Sequence, residues 1–133
     1  MANPLDIAAA AMNAQMLRLN TTASNMANAD TVASSEQAAY RAKQPVFATV
    51  LDRQQGVAGV EVVGISESNA PVPKRYEPGH PMADEQGYVY GSNVNTVDEM
   101  ANMLSASRSY QNNAEVFSTV KTLTLRALQL GKQ

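Results

Sequence analysis

The chain has 133 residues, 44% hydrophobic and 17% charged, with ten Lys and Arg against twelve Asp and Glu for a formal net charge of −2. That length accommodates one ordinary domain rather than two, and the scattered cations leave no electrostatic footprint for nucleic acid or an anionic membrane surface. The absence of Cys excludes a disulfide scaffold, a thiolate nucleophile and cysteine zinc sites, and leaves the redox compartment open.

Alanine inflates the apolar fraction. With two Phe, five Tyr and no Trp, few side chains can each bury a large area, so a thin core is expected.

At the N-terminus, Asn3 is placed to cap a helix with Pro4 at its first position and Asp6 in its first turn. From there Leu5, Ala9, Met12, Met16, Leu19, Ala23 and Met26 alternate spacings of four and three, the a/d seam of a coiled coil. The pattern predicts a helix to about residue 28. Such a seam suits an amphipathic helix packed on its own domain, and it also suits contact with neighbouring chains. Its Ala and Met knobs, flanked by Asn, Gln, Thr and Ser in place of Glu and Lys, favour close packing among several neighbours. No basic n-region precedes the alanine-rich stretch, unlike a cleaved secretory signal, and no run of 18 apolar residues is present for a transmembrane helix.

The connecting region holds β-prone runs at 46–51, 60–65 and 88–90, punctuated by Gly56, Gly59 and the Pro-containing stretches around Pro71 and Pro78. A small β-rich insert is expected, with polar connections at 29–45 and 66–87.

The C-terminal third opens on Thr96-Val97-Asp98-Glu99, read as a capping box. Without Gly or Pro before Gly131, it predicts an unbroken helix of about 34 residues. Val97, Met100, Met103 and Leu104 begin its apolar side, and Val116, Val120, Leu123, Ala127 and Leu130 form a seam near its end. Between them Ser105 through Asn113 is polar, which suits either hydrogen bonds from neighbouring chains or a solvated face. The expected fold class is α+β: long N- and C-terminal helices pairing as a coiled-coil-like unit, with a small β-rich insert between them. The expected organisation is 1–30 and 95–133 as assembly helices forming one structural unit, and 31–94 as the insert. So little bulky apolar area cannot stabilise the long helices fully, and their ends are expected to order on assembly.

Catalytic machinery is missing. His80 is a lone imidazole in a Pro-Gly-His-Pro turn, with no second ligand for zinc and no Ser-His-Asp relay. Asp84 and Glu85 are adjacent turn residues that point apart and read as solvated charges rather than a glycosidase pair. No phosphate-binding loop is present. Neither an enzymatic activity nor a cofactor or metal is expected.

The stretch Ala23-Ser24-Asn25-Met26-Ala27-Asn28-Ala29-Asp30-Thr31 resembles the N-terminal signature of the flagellar rod and hook proteins, in which an Asn-hydrophobic-Ala-Asn core ends the first helix. Tyr40-Arg41-Ala42-Lys43 with Phe47, Tyr76 through Pro81, Asp84 through Val89, and Asn93-Val94-Asn95 leading to Glu99-Met100 are similar to proximal-rod members of that family. So are Ser105 through Gln111 with Asn113, and Ala127 through Gly131, which carries the resemblance over essentially the whole chain. Ser92 stands where the family pattern has Pro, a change expected to loosen the lead into the second helix.

The resemblance implies a structural subunit of the proximal rod of the bacterial flagellar basal body, exported by the flagellar type III apparatus without a cleaved signal and assembled in the periplasm. It implies as partners further copies of the chain, the other rod proteins, the adaptor joining rod to MS ring, and the MS-ring protein, with no nucleic acid and no membrane insertion. The terminal helices would layer around a channel, with an assembly interface expected at Leu5, Met12, Met16, Leu19, Asn25, Met26, Asn28, Met100, Leu104, Arg108, Tyr110, Phe117, Val120, Leu123 and Leu130. Asn25 and Asn28 either cap the first helix or bridge subunits. Arg108 either pairs with Glu99 or Glu115 of a neighbour or stays solvated. A soluble coiled-coil adaptor forming a small closed oligomer is the competing class, and a small hydrolase a third.

Overall fold

The computed structural model describes residues 3–54 and 56–132. Its element order is α1 (Pro4–Ala27), β1 (Val32–Ala33), β2 (Lys43–Asp52), β3 (Val57–Glu67), β4 (Lys74–Tyr76), β5 (Tyr88–Gly91) and α2 (Thr96–Leu130). The α+β arrangement read from the sequence is what the chain adopts.

Helix α1 starts where the sequence places it: the Asn3 side chain accepts from the Leu5 amide at 3.0 Å, Pro4 needs no donor at N1, and Asp6 faces the positive end of the dipole. At its other end Asn28 returns its amide to the Ser24 carbonyl at 2.9 Å. Helix α2 runs 35 residues without a break, roughly 52 Å at 1.5 Å per residue. Its cap differs from the expected box. Asn95 is the N-cap, accepting from Val97 and Asp98 amides at 3.1 and 3.3 Å, while Thr96 is already helical and Glu99 is buried. An Asx side chain reaches the N2 and N3 donors as readily as Thr does, and so moves the cap one residue upstream.

The two helices run antiparallel: Arg18 meets Asn102, and residues Ala9 to Met16 lie beside Tyr110 and Phe117. Helix α1 also packs on the long β2–β3 hairpin, whose strands pair only with each other. That hairpin pairs Lys43 with Glu67 at its root and Asp52 with Val57 at its tip, with a register shift between Val46 and Phe47. The connections 29–45 and 66–87 contain two strands that the sequence did not announce: β1 and β4 flank β5 in an antiparallel sheet of order β1-β5-β4. Gly87 ends the turn before β5 at φ 88°, where a Cβ would come within 2.9 Å of the Tyr76 ring, so the position admits only glycine.

Among the described residues, the buried apolar set is Ala8, Ala14, Ala33, Ala39, Ala42, Ala106 and a single larger side chain, Val89. The thin core expected from composition is what forms. Two helices can approach closely along Ala8, Ala14 and Ala106 because methyl groups hold backbones apart less than larger side chains do, and the same smallness limits the area buried per residue.

Candidate assembly surface

The line of α1 that is buried is not the seam read from heptad spacing. It consists of Ala8, Ala14, Thr21, Thr22 and Asn25, whereas Leu5, Met12, Leu19 and Met26 are half-buried and Met16 and Ala23 exposed. The reason is that α1 is flanked on two sides, by α2 and by the hairpin, and the position between two close neighbours requires small residues or ones with hydrogen-bonding partners. The larger apolar side chains are displaced to the flank.

Helix α2 repeats the pattern. Within the polar stretch 105–113 it is Ala106 that is fully buried, with Ser107, Ser109, Tyr110 and Asn113 half-buried beside it. One side of the stretch lies along α1 and the other is solvated, and Asn113 bonds within α2 to the Ser109 carbonyl at 2.8 Å. Its exposed members include Arg108. By contrast Val97, Met100, Leu104, Val116, Leu123 and Leu130 are all more than half exposed.

Of the residues singled out in the sequence, Met12, Met16, Tyr110 and Phe117 come together, enclosing with Ala9 and Asn13 an apolar hollow of about 250 Å³. Val120 is half-buried and lines a separate shallow groove with Val116 and Thr119. Beyond it, every residue from 121 to 130 is exposed, so the last three turns of α2 project past the start of α1. Sequence reading missed two members of this projection, Leu125 and Leu128, at 53% and 60% exposure. Their signal was available: with Leu123 and Leu130 they place leucine on more than one side of the helix, which a single-seam template discards.

The hairpin adds Val46, Phe47, Val50, Leu51, Val63 and Ile65 to the uncovered apolar residues. A two-stranded ribbon cannot bury both its faces. Between its far half and α1 lies an open hollow of about 350 Å³, with Ile7 and Ala10 facing Val50, Val57 and Val60.

The polar sites are structural. Arg18 donates to the Asn102 side chain at 2.9 Å, in a pocket of about 310 Å³ that Lys43 and the buried Glu99 also line. Asn28 caps α1 locally, and Asn25 bonds within its own chain, to Lys43 and Tyr40. Glu99, named as one neighbour for Arg108, is 4% exposed, which leaves Glu115 the accessible carboxylate of the two. Ser92 tightens the lead into α2 instead of loosening it: its buried hydroxyl donates to the Ala29 carbonyl, a bond proline cannot make. His80 serves its turn by accepting from the Met82 amide at 3.0 Å. Asp84 is not a free solvated charge. It accepts from the Tyr88 amide at 2.8 Å, the Gln86 amide at 2.9 Å and the Tyr90 hydroxyl at 3.4 Å. The Tyr88 amide above all holds its carboxyl below the ordinary range. Among the described residues, no cluster of three potential metal ligands occurs, and no helix is long and apolar enough to cross a membrane.

The helix pair thus buries small and polar residues and leaves much large apolar side chain uncovered. Comparison with known proteins gives the family. Residues 5–32 match the profile of the family described as flagella basal body rod protein, and residues 85–130 match the C-terminal domain of the flagellar basal body rod FlgEFG proteins. The flagellar basal-body rod protein FlgC of Salmonella typhimurium is 51% identical over 98% of this chain and 97% of its own length. The protein of that name from Escherichia coli O6:H1 is 50% identical over the same shares. The one from Borreliella burgdorferi is 31% identical over 95% of this chain and 94% of its own. The chain belongs to the FlgC family of flagellar basal-body rod proteins, a structural and not an enzymatic family.

Proposed function

We propose that the chain polymerises through the outer faces of α1 and α2 into the proximal, torque-transmitting part of a hollow rod. The observation that carries this reading is the imbalance between the core and the surface. Among the described residues six alanines and a valine are the buried apolar set, while four leucines project on the last turns of α2 alone. Fully covering a leucine contributes about 1.5–3 kcal/mol, so the projecting turns gain substantially from a neighbour.

In this reading residues 1–30 and 95–133 act as one assembly unit and 31–94 as an insert carried on its outside. The interface comprises the flank of α1 (half-buried Leu5, Met12, Leu19 and Met26 with exposed Met16) and, on α2, the exposed Met100, Leu104, Arg108, Leu123 and Leu130 together with the half-buried Tyr110, Phe117 and Val120. Asn25 and Asn28, bonded within the chain, are left out of it. Methionine suits such a surface, because contacts in a helical assembly are not all equivalent and a flexible side chain adapts to each. Its neighbours are further copies, other rod proteins, the adaptor joining the rod to the MS ring, and the MS ring itself. Delivery is by the flagellar type III apparatus without a cleaved signal, with assembly in the periplasm.

The test is mass spectrometry of purified basal bodies beside a motility assay of a strain lacking the chain. Recovery in the rod fraction together with lost motility is the expected result. Absence from that fraction with normal swimming would replace this reading with the closed-oligomer adaptor.

A further inference from the structure

The root of the β2–β3 hairpin is held by two asparagine side chains, one on each side. Asn25 lies on α1 and is 1% exposed. Its amide nitrogen donates to the Lys43 carbonyl at 2.8 Å and its oxygen accepts from the Lys43 amide at 2.9 Å, so it pairs with the first residue of β2 as a neighbouring strand would. The same oxygen accepts from the Tyr40 hydroxyl at 2.9 Å. Asn93 lies on the segment leading into α2. Its oxygen accepts from the Ala42 amide at 2.7 Å, and its nitrogen donates to the Ser68 and Ala70 carbonyls at 3.2 and 2.9 Å. Between these two pins the strands close on each other through Ser68 N–H to the Ala42 carbonyl at 2.8 Å.

Only an amide can do this work. It must donate and accept at once, at Asn25 to the C=O and N–H of the one residue Lys43 and at Asn93 to the Ser68 and Ala70 carbonyls and the Ala42 amide; Asp has no donor when ionised, and Gln is one methylene too long to keep both distances. At 1% exposure water cannot substitute at Asn25, and a broken bond leaves a buried peptide group unpaired. One attachment would leave the hairpin free to pivot. Two, one on α1 and one on the segment leading into α2, fix its direction. Further out, the distal strands face α1 across the open hollow beside Ile7 and Ala10.

We infer that Asn25 and Asn93 are positioning residues: a two-point amide latch that sets the hairpin's direction relative to the helix pair. This geometry stands whatever the chain assembles into. Its consequence in the rod, that the hairpin moves rigidly with the helices under load, rests on the function proposed above.

Because the chain has no Cys, spin labels can be placed singly. Distances are measured by pulsed electron resonance in the full-length chain between Asn13→Cys on α1 and Arg53→Cys near the hairpin tip, and between Asn20→Cys and Ser105→Cys across the helix pair. All four positions are exposed. The latch predicts a narrow hairpin-to-helix distribution that broadens at least twofold in N25A and in N93A. Broadening should be less in N25D, which keeps the acceptor contacts, and least in Y40F, while the helix-to-helix distribution stays unchanged throughout. Three results would overturn the inference: a hairpin distribution unaltered by N25A and N93A, one already as broad in the unsubstituted chain, or broadening of both distances together, which would mark a general loss of packing.

Discussion

The inner and outer sides of α2 depart from the usual arrangement of a helix in a small protein. Inside, facing α1, are Glu99, Asn102, Ala106, Ser109 and Asn113, with Tyr110 and Phe117 the larger side chains half-buried among them; outside are Val97, Met100, Leu104 and Leu123, all exposed. In a self-sufficient domain the apolar stripe faces the core. Here the inside is made for close approach and hydrogen bonding, as in the Arg18–Asn102 bond, and the outside keeps the apolar area uncovered. In the assembly proposed above, that uncovered area is what neighbouring chains would cover.

The sharpest break of that comparison is a charge on the outer side. Leu123→Asp should abolish rod formation and motility, since a carboxylate covered by neighbours carries a desolvation penalty of several kcal/mol, of order 3–5 once it is unpaired. The isolated chain should keep its helix content and Tm, because Leu123 is 59% exposed there. Met16→Asp should behave similarly with a smaller margin, being less exposed at 42%. Wild-type swimming with either variant would remove these faces from the assembly surface.

The reciprocal pair separates inside from outside in the free chain. Ala106→Leu adds bulk at a fully buried position and should cost about 1–3 kcal/mol of stability, read by urea unfolding. Leu104→Ala on the outer side should change stability by no more than about 0.5 kcal/mol while weakening assembly. Equal effects of the two on the free chain would erase the distinction between the sides.

Hydrogen exchange tests the same comparison along the helix. The free chain was expected from its sequence to be poorly protected at both ends; the structure makes that expectation graded. Residues 121–130 are exposed throughout and should exchange fastest, whereas 99–117, packed on α1, should be slower. Uniform protection across 99–130 in a verified monomer would contradict the projecting end.

What was legible in the sequence follows from which signals are local. Both helices could be bounded because their stops are written in single residues, Asn3 and Pro4 at one end and Gly131 at the other. The hairpin was visible as two β-prone runs. The strands β1 and β4 were not, because two- and three-residue strands are specified by their partner β5 and not by their own composition. The heptad seam of α1 is a different line from the one the chain buries, for a related reason. Periodicity detects large apolar residues, but the inner line of this helix was chosen for smallness and hydrogen bonding, in Ala14, Thr22 and Asn25. Asn25 was legible as part of a motif, and its work was not, since its partners Tyr40 and Lys43 lie 15 and 18 residues away.

The smallest expected effect concerns the β1-β5-β4 sheet, which closes within the chain. Asp84 ties the turn to β5 through the Tyr88 and Gln86 amides and the Tyr90 hydroxyl, and these bonds favour its charged form, holding its carboxyl below the ordinary range. A carboxylate whose folded pKa is depressed contributes stability that is fully present above its unfolded pKa of about 3.9. That contribution is lost as pH falls through the lower folded value. Between those limits the unfolded chain binds the proton that the folded one refuses, so stability falls with acid. Asp84→Asn keeps an acceptor oxygen and has no charge to lose; its stability should lie slightly below that of the unsubstituted chain near neutrality and show a flatter acid limb below about pH 4. The measurement is thermal unfolding followed by the tyrosine signal, since Tyr76 and Tyr88 pack edge to face at 5.2 Å beside this turn. Parallel acid limbs for the two proteins would mean that the Asp84 bonds hold the turn without favouring its charge.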